Sequence, residues 1–478
     1  MKELKMFIDG KFVDNTSGKW IDVLNPSTEE VVSRQPEGTV NDTKTAIDAA
    51  EKAQTSWAKL PAVERGRYLK EIAKGIRKRE KELTDIIVKE GGKTQGLANV
   101  ETLFTADYLD YMAEWARRYE GEIINSDRPN ESIFLFKKPI GVTTGVLPWN
   151  FPFFLIARKV GPALVTGNTI VVKPSVLTPE NAYVFAQIVE EAGLPKGVFN
   201  LVMGRGAVVG QELAANPKVG MVSLTGSVAA GQQIMSAAAV NITKVSLELG
   251  GKAPAIVMAD ANIDLAVKCI IDSRVINSGQ VCNNCERVYV QKGIKDEFLK
   301  KLIAGIKAVK VGNPAQIKDL DMGPLIEANA LRSVEEKLSK AIKQGAKVEC
   351  GGHRIGTVGY FFEPTVLTNV TQDMDIIHEE TFGPVLPVVE FSELDEAIAY
   401  ANDCEFGLTS SIFTQNLNTA MKLVRELKFG ETYVNRENFE AMQGFHAGWR
   451  KSGIGGADGK HGLEEYLQTQ VVYLETQN

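Results

Sequence analysis

Cysteine and histidine are scarce: five cysteines and four histidines in 478 residues. The cysteines, at 269, 282, 285, 350 and 404, are odd in number and lack framework spacing, so structural disulfides are not expected. Cys282-Asn-Asn-Cys285 is formally a C-x-x-C, but a zinc site needs two further ligands and no histidine lies near it in sequence. A redox dithiol would normally occupy a short thioredoxin-like unit. The simpler reading packs Cys285 one turn from Cys282 on a shared helix, with trapping of an oxidised Cys282 by Cys285 as a second use. No metal is expected.

An excess of either charge is missing too. The 54 basic and 60 acidic residues leave a net charge of −6, which gives no electrostatic footprint for nucleic acid. No apolar run is long enough to span a membrane, and Met1-Lys-Glu-Leu-Lys-Met6 has no secretory apolar core. These absences predict a cytoplasmic protein with no membrane partner. An apolar share of 44% argues against disorder, and 478 residues exceed a single core, so two or three domains are expected.

Residues 7–36 alternate apolar and polar positions between turn signals, as short strands do. Residues 41–117 read as helices; Asp42 is placed to cap the first, and Leu60-Pro61 closes it. Short β runs then alternate with helical stretches: Ile140 to Leu147, Thr169 to Val172, Val198 to Val202, Met221 to Leu224 and Lys244 to Leu249. A second alternating set runs from Ala253 to about 435, with strands at Ala255–Met258, Arg287–Val290, Val385–Val389 and Ser411–Phe413. The pattern predicts an α/β fold of two doubly wound parallel-sheet domains, one of them Rossmann-like. Glu122 to Lys138 alternates like a hairpin, and Tyr466 to Leu474 reads as a lone strand whose edges need partners.

Four stretches carry chemistry. Asn277-Ser-Gly-Gln-Val-Cys282 puts a thiol after a Gly-Gln turn, and Glu248 lies 34 residues upstream in Leu247-Glu-Leu-Gly-Gly251. A thiol nucleophile and a carboxylate base suffice to make and hydrolyse a thioester. Pro148-Trp-Asn150-Phe-Pro152 adds an amide donor that does not titrate, and Glu379-Glu-Thr-Phe-Gly-Pro-Val385 a second glutamate-aromatic pair. Gly204-Arg-Gly206-Ala-Val-Val-Gly210 narrowly misses the dinucleotide fingerprint, whereas Leu224-Thr-Gly226-Ser227 stands at a strand-to-helix turn able to hold a pyrophosphate.

These four stretches occur in the order seen in aldehyde dehydrogenases, and the chain resembles that superfamily along essentially its whole length. Within it, Phe429 to Leu474, with Asn435-Arg-Glu-Asn-Phe-Glu-Ala-Met-Gln-Gly-Phe-His446, is most similar to the bacterial lactaldehyde/glycolaldehyde branch. The resemblance implies Cys282 as nucleophile, Asn150 as oxyanion donor and Glu248 as the base for hydrolytic deacylation, without a coenzyme A acceptor. It implies NAD as cofactor, held by Leu147, Trp149, Lys173, Ser175, Val176, Gly206, Gly226, Ser227, Glu380 and Phe382. Val176 stands where a glutamate is common, so some use of NADP is expected. Lys159 is similar to a family lysine that helps hold the site.

Arg158, Asn283, Glu440, His446 and Phe151 are the expected substrate contacts. Arg158 replaces a common aromatic and calls for a polar substrate group or a carboxylate partner; a pair with Glu440 is the alternative to substrate contact. A short 2-hydroxyaldehyde fits this set. A carboxylated aldehyde such as succinate semialdehyde is the rival, and a catalytically retired binding protein a third reading. The implied domains are 1–118 with 140–250 for the dinucleotide, 251–435 for catalysis with a substrate loop at 436–460, and an oligomerisation arm of 119–139 and 461–478, making a dimer or tetramer. His378 and His461 have no assigned role.

Overall fold

The computed structural model describes residues 1–477; Asn478, the last residue of the expected arm, lies outside the described residues. The N-terminal third is strands followed by four long helices. The first, Val40–Lys59, starts at Thr39, whose extended backbone lets its hydroxyl accept the Asp42 N–H at 3.2 Å. Asp42 returns the favour, accepting the Thr39 N–H at 2.8 Å. Thr39 is therefore the cap, and Asp42, expected there, is its reciprocal partner inside the first turn.

Eight strands form the first sheet, in the order Gly453–Ile454, Lys244–Glu248, Val219–Thr225, Val142–Val146, Thr169–Lys173, Phe199–Leu201, Met6–Ile8, Lys11–Val13. The five strands from Lys244–Glu248 to Phe199–Leu201 are parallel, while Gly453–Ile454 and the N-terminal pair join antiparallel at the two edges. The chain starts at Val142–Val146, winds outward one way, then crosses back to Val219–Thr225 on its other side. That reversal leaves a crevice beyond the carboxyl ends of the two strands, where dinucleotides bind in such sheets. Strand residues 142–146 and 169–173 are buried throughout, as expected of strands covered on both faces.

A seven-stranded sheet follows, ordered Lys347–Cys350, Thr365–Thr368, Val385–Phe391, Cys285–Gln291, Ala253–Val257, Thr409–Phe413, Glu431–Val434. All but the first of these pair in parallel. The alternation of short β runs with helices thus yields two mainly parallel sheets, with antiparallel strands only at their edges.

Glu122–Asn125 and Glu131–Pro139 form the expected hairpin. Leu467–Glu475 does not stand alone: it pairs antiparallel with Glu131–Pro139 over nine residue pairs, from Leu467↔Pro139 to Glu475↔Glu131. One edge of the C-terminal strand is therefore satisfied inside the chain. Just before it, Gly459–Glu464 forms a short helix against Phe154–Thr166, so the arm as a sheet begins at Leu467.

Candidate active site

The position of Cys282, the expected nucleophile, is set by a strained turn. Asn277, Ser278 and Gly279 are all left-handed, with φ of 47°, 60° and 76°, a cost of about 1–3 kcal/mol for each non-glycine residue. The surroundings over-determine it. Ser278 donates to the Gly323 and Pro324 carbonyls at 2.8 and 3.1 Å. The Gln280 side chain bonds the Asn277 carbonyl at 2.9 Å and accepts the Ile326 N–H at 2.9 Å. Arg274 donates to the Gly279 and Cys285 carbonyls, each at 2.8 Å. Cys282 leaves this turn partly exposed.

Cys285 does not share a helix with Cys282. Cys282 lies in a turn, and Cys285 opens strand Cys285–Gln291, its thiol facing the Arg287 carbonyl at 3.7 Å. The reason is local: the left-handed run at 277–279 has already ended the helix. Burial pushes the Cys285 thiol up to about 12, which removes the thiolate that redox exchange requires.

The two glycines after Glu248 are demanded by close approach. A Cβ on Gly250 would stand 2.5 Å from the Glu380 carboxylate, and one on Gly251 2.4 Å from the Cys282 carbonyl oxygen. Lys252, next in line, meets Glu286 at 2.7 Å, and Arg274 meets the same carboxylate at 3.0 Å. Glu286 also accepts the backbone N–H groups of Thr381 and Phe382 at 2.9 and 3.1 Å. One buried carboxylate so fastens the Gly-Gly stretch, the nucleophile turn and the Glu380–Phe382 segment.

Asn150 follows the carboxyl end of Val142–Val146. Its Nδ2 donates to the Gln280 carbonyl at 3.1 Å and its Oδ1 accepts the Phe151 N–H at 3.0 Å, which fixes the amide beside the nucleophile turn. The helix that follows begins where Glu101 accepts the Phe153 and Phe154 N–H groups at 2.9 and 3.2 Å, and it delivers Arg158 and Lys159 on opposite errands. Lys159 donates to Ser223 and Thr225 at 2.9 and 3.0 Å; burial, only partly offset by Glu248, lowers its pKa to about 8.

Arg158 is wrapped in carboxylates: Asp458 at 2.7 Å, Glu440 at 2.8 Å and Glu248 at 3.6 Å. Its pair with Glu440 is thus real, with Asp458 added. Glu440 also accepts the Asn283 amide at 2.7 Å. His446 bonds Glu431 at 2.5 Å and faces Glu248 at 3.7 Å. Burial would lower the His446 pKa, but Glu431 and Glu248 outweigh it and hold the ring well above the usual histidine range. Glu248 Oε2 and His446 Nε2 are buried without a hydrogen-bond partner. The two atoms face each other, 3.7 Å apart.

A cavity of about 690 Å³ gathers most of these groups. Of the residues expected from sequence, Trp149, Asn150, Phe151, Arg158, Gly226, Ser227, Cys282, Asn283, Glu380, Phe382 and Glu440 line it. Glu248 and His446 do not line it: Glu248 lies 3.6 Å from Arg158, and His446 3.7 Å from Glu248. Leu147, Lys173, Ser175 and Val176 are also outside the lining; the Leu147 N–H donates to the Lys173 carbonyl at 2.9 Å at the carboxyl ends of the two strands. Gly206, likewise outside the lining, is exposed and opens a π-helical turn, Gly206–Gly210.

Ser227 caps helix Val228–Ala238, accepting the Ala230 N–H at 3.2 Å. Trp149 and Phe382 meet edge to face at 5.5 Å between centroids. Glu380 accepts the Gly251 N–H at 2.8 Å, and burial, helped by Glu286, raises its carboxyl to about 7. Asp458, Glu431, Glu286 and Lys252 escaped sequence reading, since each acts only through partners distant in the chain. His378 bonds the Gln372 carbonyl at 2.7 Å, and the His461 ring packs on Phe445; both are structural.

Residues 12–472 match the model of the aldehyde dehydrogenase family. The chain belongs to that family. It is 67% identical to the lactaldehyde dehydrogenase of Escherichia coli (strain K12) over 471 residues, 98% of each chain. The crystal structure of lactaldehyde dehydrogenase from Escherichia coli superposes with a TM-score of 0.98, covering 99% of each chain at 67% identity. A structure of 3,6-anhydro-L-galactose dehydrogenase in complex with NAP matches with a TM-score of 0.96 at 44% identity, covering 99% of this chain and 100% of that one. The α/β architecture of this aldehyde dehydrogenase is therefore that of its relatives from end to end. No helix among the described residues is long and apolar enough to cross a membrane.

Proposed function

We propose that this aldehyde dehydrogenase oxidises short 2-hydroxyaldehydes, lactaldehyde and glycolaldehyde, to their acids with NAD. One observation carries the reading: beside Cys282, Arg158, Glu440 and Asn283 line the cavity and offer a small substrate polar partners. The relative at 67% identity, named lactaldehyde dehydrogenase, supports the same choice.

Cys282, its thiol proton released to solvent, attacks the aldehyde carbon as the thiolate, and the Asn150 amide stabilises the oxyanion; one such donor is worth about 3 kcal/mol. Loss of hydride leaves a thioester on Cys282. Glu248 takes a proton from water, whose oxygen attacks the thioester and frees the acid and the thiol. The cofactor fits the residues present. The Gly226-Ser227 turn and the helix N–H groups behind it suit a pyrophosphate, Glu380 a ribose, and Trp149 and Phe382 flank the ring site. Lys173 spends one donor on the Pro174 carbonyl at 2.9 Å and is otherwise a buried ammonium whose pKa burial lowers to about 8, a fit for the adenosine ribose. When bound, the nicotinamide supplies the hydride acceptor.

Val176 offers no carboxylate to repel a 2′-phosphate, so NADP is accepted as well. The carboxylated-substrate reading loses its anchor, because Asp458 and Glu440 already hold the Nε and Nη2 edge of Arg158. The exposed arm residues Ile123 and Tyr473, 75% and 66% accessible, support a homodimer or tetramer, and the cytoplasm is the proposed location.

Initial rates without coenzyme A on L-lactaldehyde, glycolaldehyde, propanal and succinate semialdehyde test the substrate. The hydroxyaldehydes are expected to lead in kcat/KM by about tenfold or more, roughly 1.4 kcal/mol of transition-state discrimination. A lead for succinate semialdehyde would overturn it. An NADP kcat/KM more than about a thousandfold below NAD, some 4 kcal/mol, would sink dual cofactor use.

A further inference from the structure

Asp458 is the N-cap residue of the short helix Gly459–Glu464, yet its side chain makes no cap hydrogen bond. Its backbone is left-handed, with φ 71°, and its side chain is 1% exposed. The turn is pinned from behind: a Cβ on Gly459 would lie 2.1 Å from the Gly444 carbonyl oxygen. Strain held this firmly in a buried acid points to a positional task.

That task is visible in how Arg158 is gripped. Asp458 takes the guanidinium along one edge, Nε to Oδ1 at 3.1 Å and Nη2 to Oδ2 at 2.7 Å. Glu440 shares Nη2 at 2.8 Å. Only Nη1 remains, and it stops 3.6 Å from Glu248 Oε2, just beyond hydrogen-bond length. His446 is held off the same oxygen at 3.7 Å by its bond to Glu431. A buried guanidinium released from Asp458 would seek the nearest unpaired carboxylate, which is Glu248, and pair with it in the two-pronged way arginine favours. A carboxylate so engaged cannot take a proton from water.

We propose that Asp458 is a positioning residue for deacylation: it restrains Arg158 at 3.6 Å from Glu248, so that the carboxylate is not drawn into a hydrogen-bonded, two-pronged pair. The inference rests on the reading of Glu248 as the water-activating base. Acylation, which does not need that base, is spared by the same logic.

The test is a rapid-mixing and steady-state comparison with L-lactaldehyde and saturating NAD. Asp458→Asn is expected to show a burst of about one NADH per site at the wild-type rate, followed by turnover at least about tenfold slower. Asp458→Ser, which admits water, is the second variant should the first not fold. On an Arg158→Met background the Asp458 substitution should alter kcat by less than about threefold, because the two act as one unit. The proposal is overturned if burst and turnover slow together, if turnover is unchanged, or if the loss is as large without Arg158. Glu248→Gln separates the underlying reading. A full burst with stalled turnover upholds Glu248 as the base, and normal turnover would reject that role whatever Asp458 does.

Discussion

Asn150 is held by its own side chain at both ends, to the Gln280 carbonyl and the Phe151 N–H, so it is ready before substrate arrives. A pre-organised donor acts on the transition state more than on the bound aldehyde. Asn150→Ala should therefore lower kcat by about 100–1,000-fold with little change in KM, measured as initial NADH formation; a rise in KM at constant kcat would contradict the oxyanion role. The residue types at 150, 248 and 282 were readable because each motif names its chemistry within five residues. Arg158 was readable as a conflict, a cation where an apolar wall was expected, but not its resolution. Asp458 lies 300 residues away, and no spacing rule joins them.

Elements were legible where periodicity was strong. The buried strands 142–146, 169–173 and 219–225 fell where short β runs announced them; covered on both faces, they carry apolar residues and small polar ones such as Thr143 and Thr144, whose hydroxyls donate to backbone carbonyls. Turn chemistry was harder: the helix expected to carry both Cys282 and Cys285 gives way to a left-handed turn, since side chains distant in sequence hold Asn277 and Ser278 there. The arm shows the same limit. Its strands could be predicted, but not that Leu467–Glu475 would close on Glu131–Pro139. With one edge closed, apolar Ile123, Phe136, Val471 and Tyr473 still face outward, more than a lone subunit has reason to expose. Paired Val471→Asp and Tyr473→Asp substitutions should reduce the assembled mass, read by sedimentation or light scattering. A monomeric wild-type protein would refute the arm's role.

At the scale of the molecule, Glu286 binds separate pieces into one body. Burial would raise its carboxyl, but Lys252 and Arg274 outweigh burial and hold it at about 2, against an ordinary value of 4.5. A carboxylate depressed on folding adds stability that is fully present above its unfolded value and lost as pH falls towards its folded one. That contribution is on the order of 3 kcal/mol, present above about pH 4.5 and fading towards pH 2. Glu286→Gln should lower the urea midpoint clearly at pH 7, and the gap to wild type should narrow between pH 4.5 and 2. A gap constant with pH would mean that the shape of the side chain matters and its charge does not.

By itself, the sequence determined the α/β class and the family, and named Cys282, Glu248 and Asn150 as the proposed nucleophile, base and oxyanion donor, because these follow from residue type and short spacing. Tertiary structure alone decided which charges neutralise one another. Electrostatic pairing depends on distance in space: it drew Asp458, Glu440 and Glu248 around Arg158 and set Glu431 against His446.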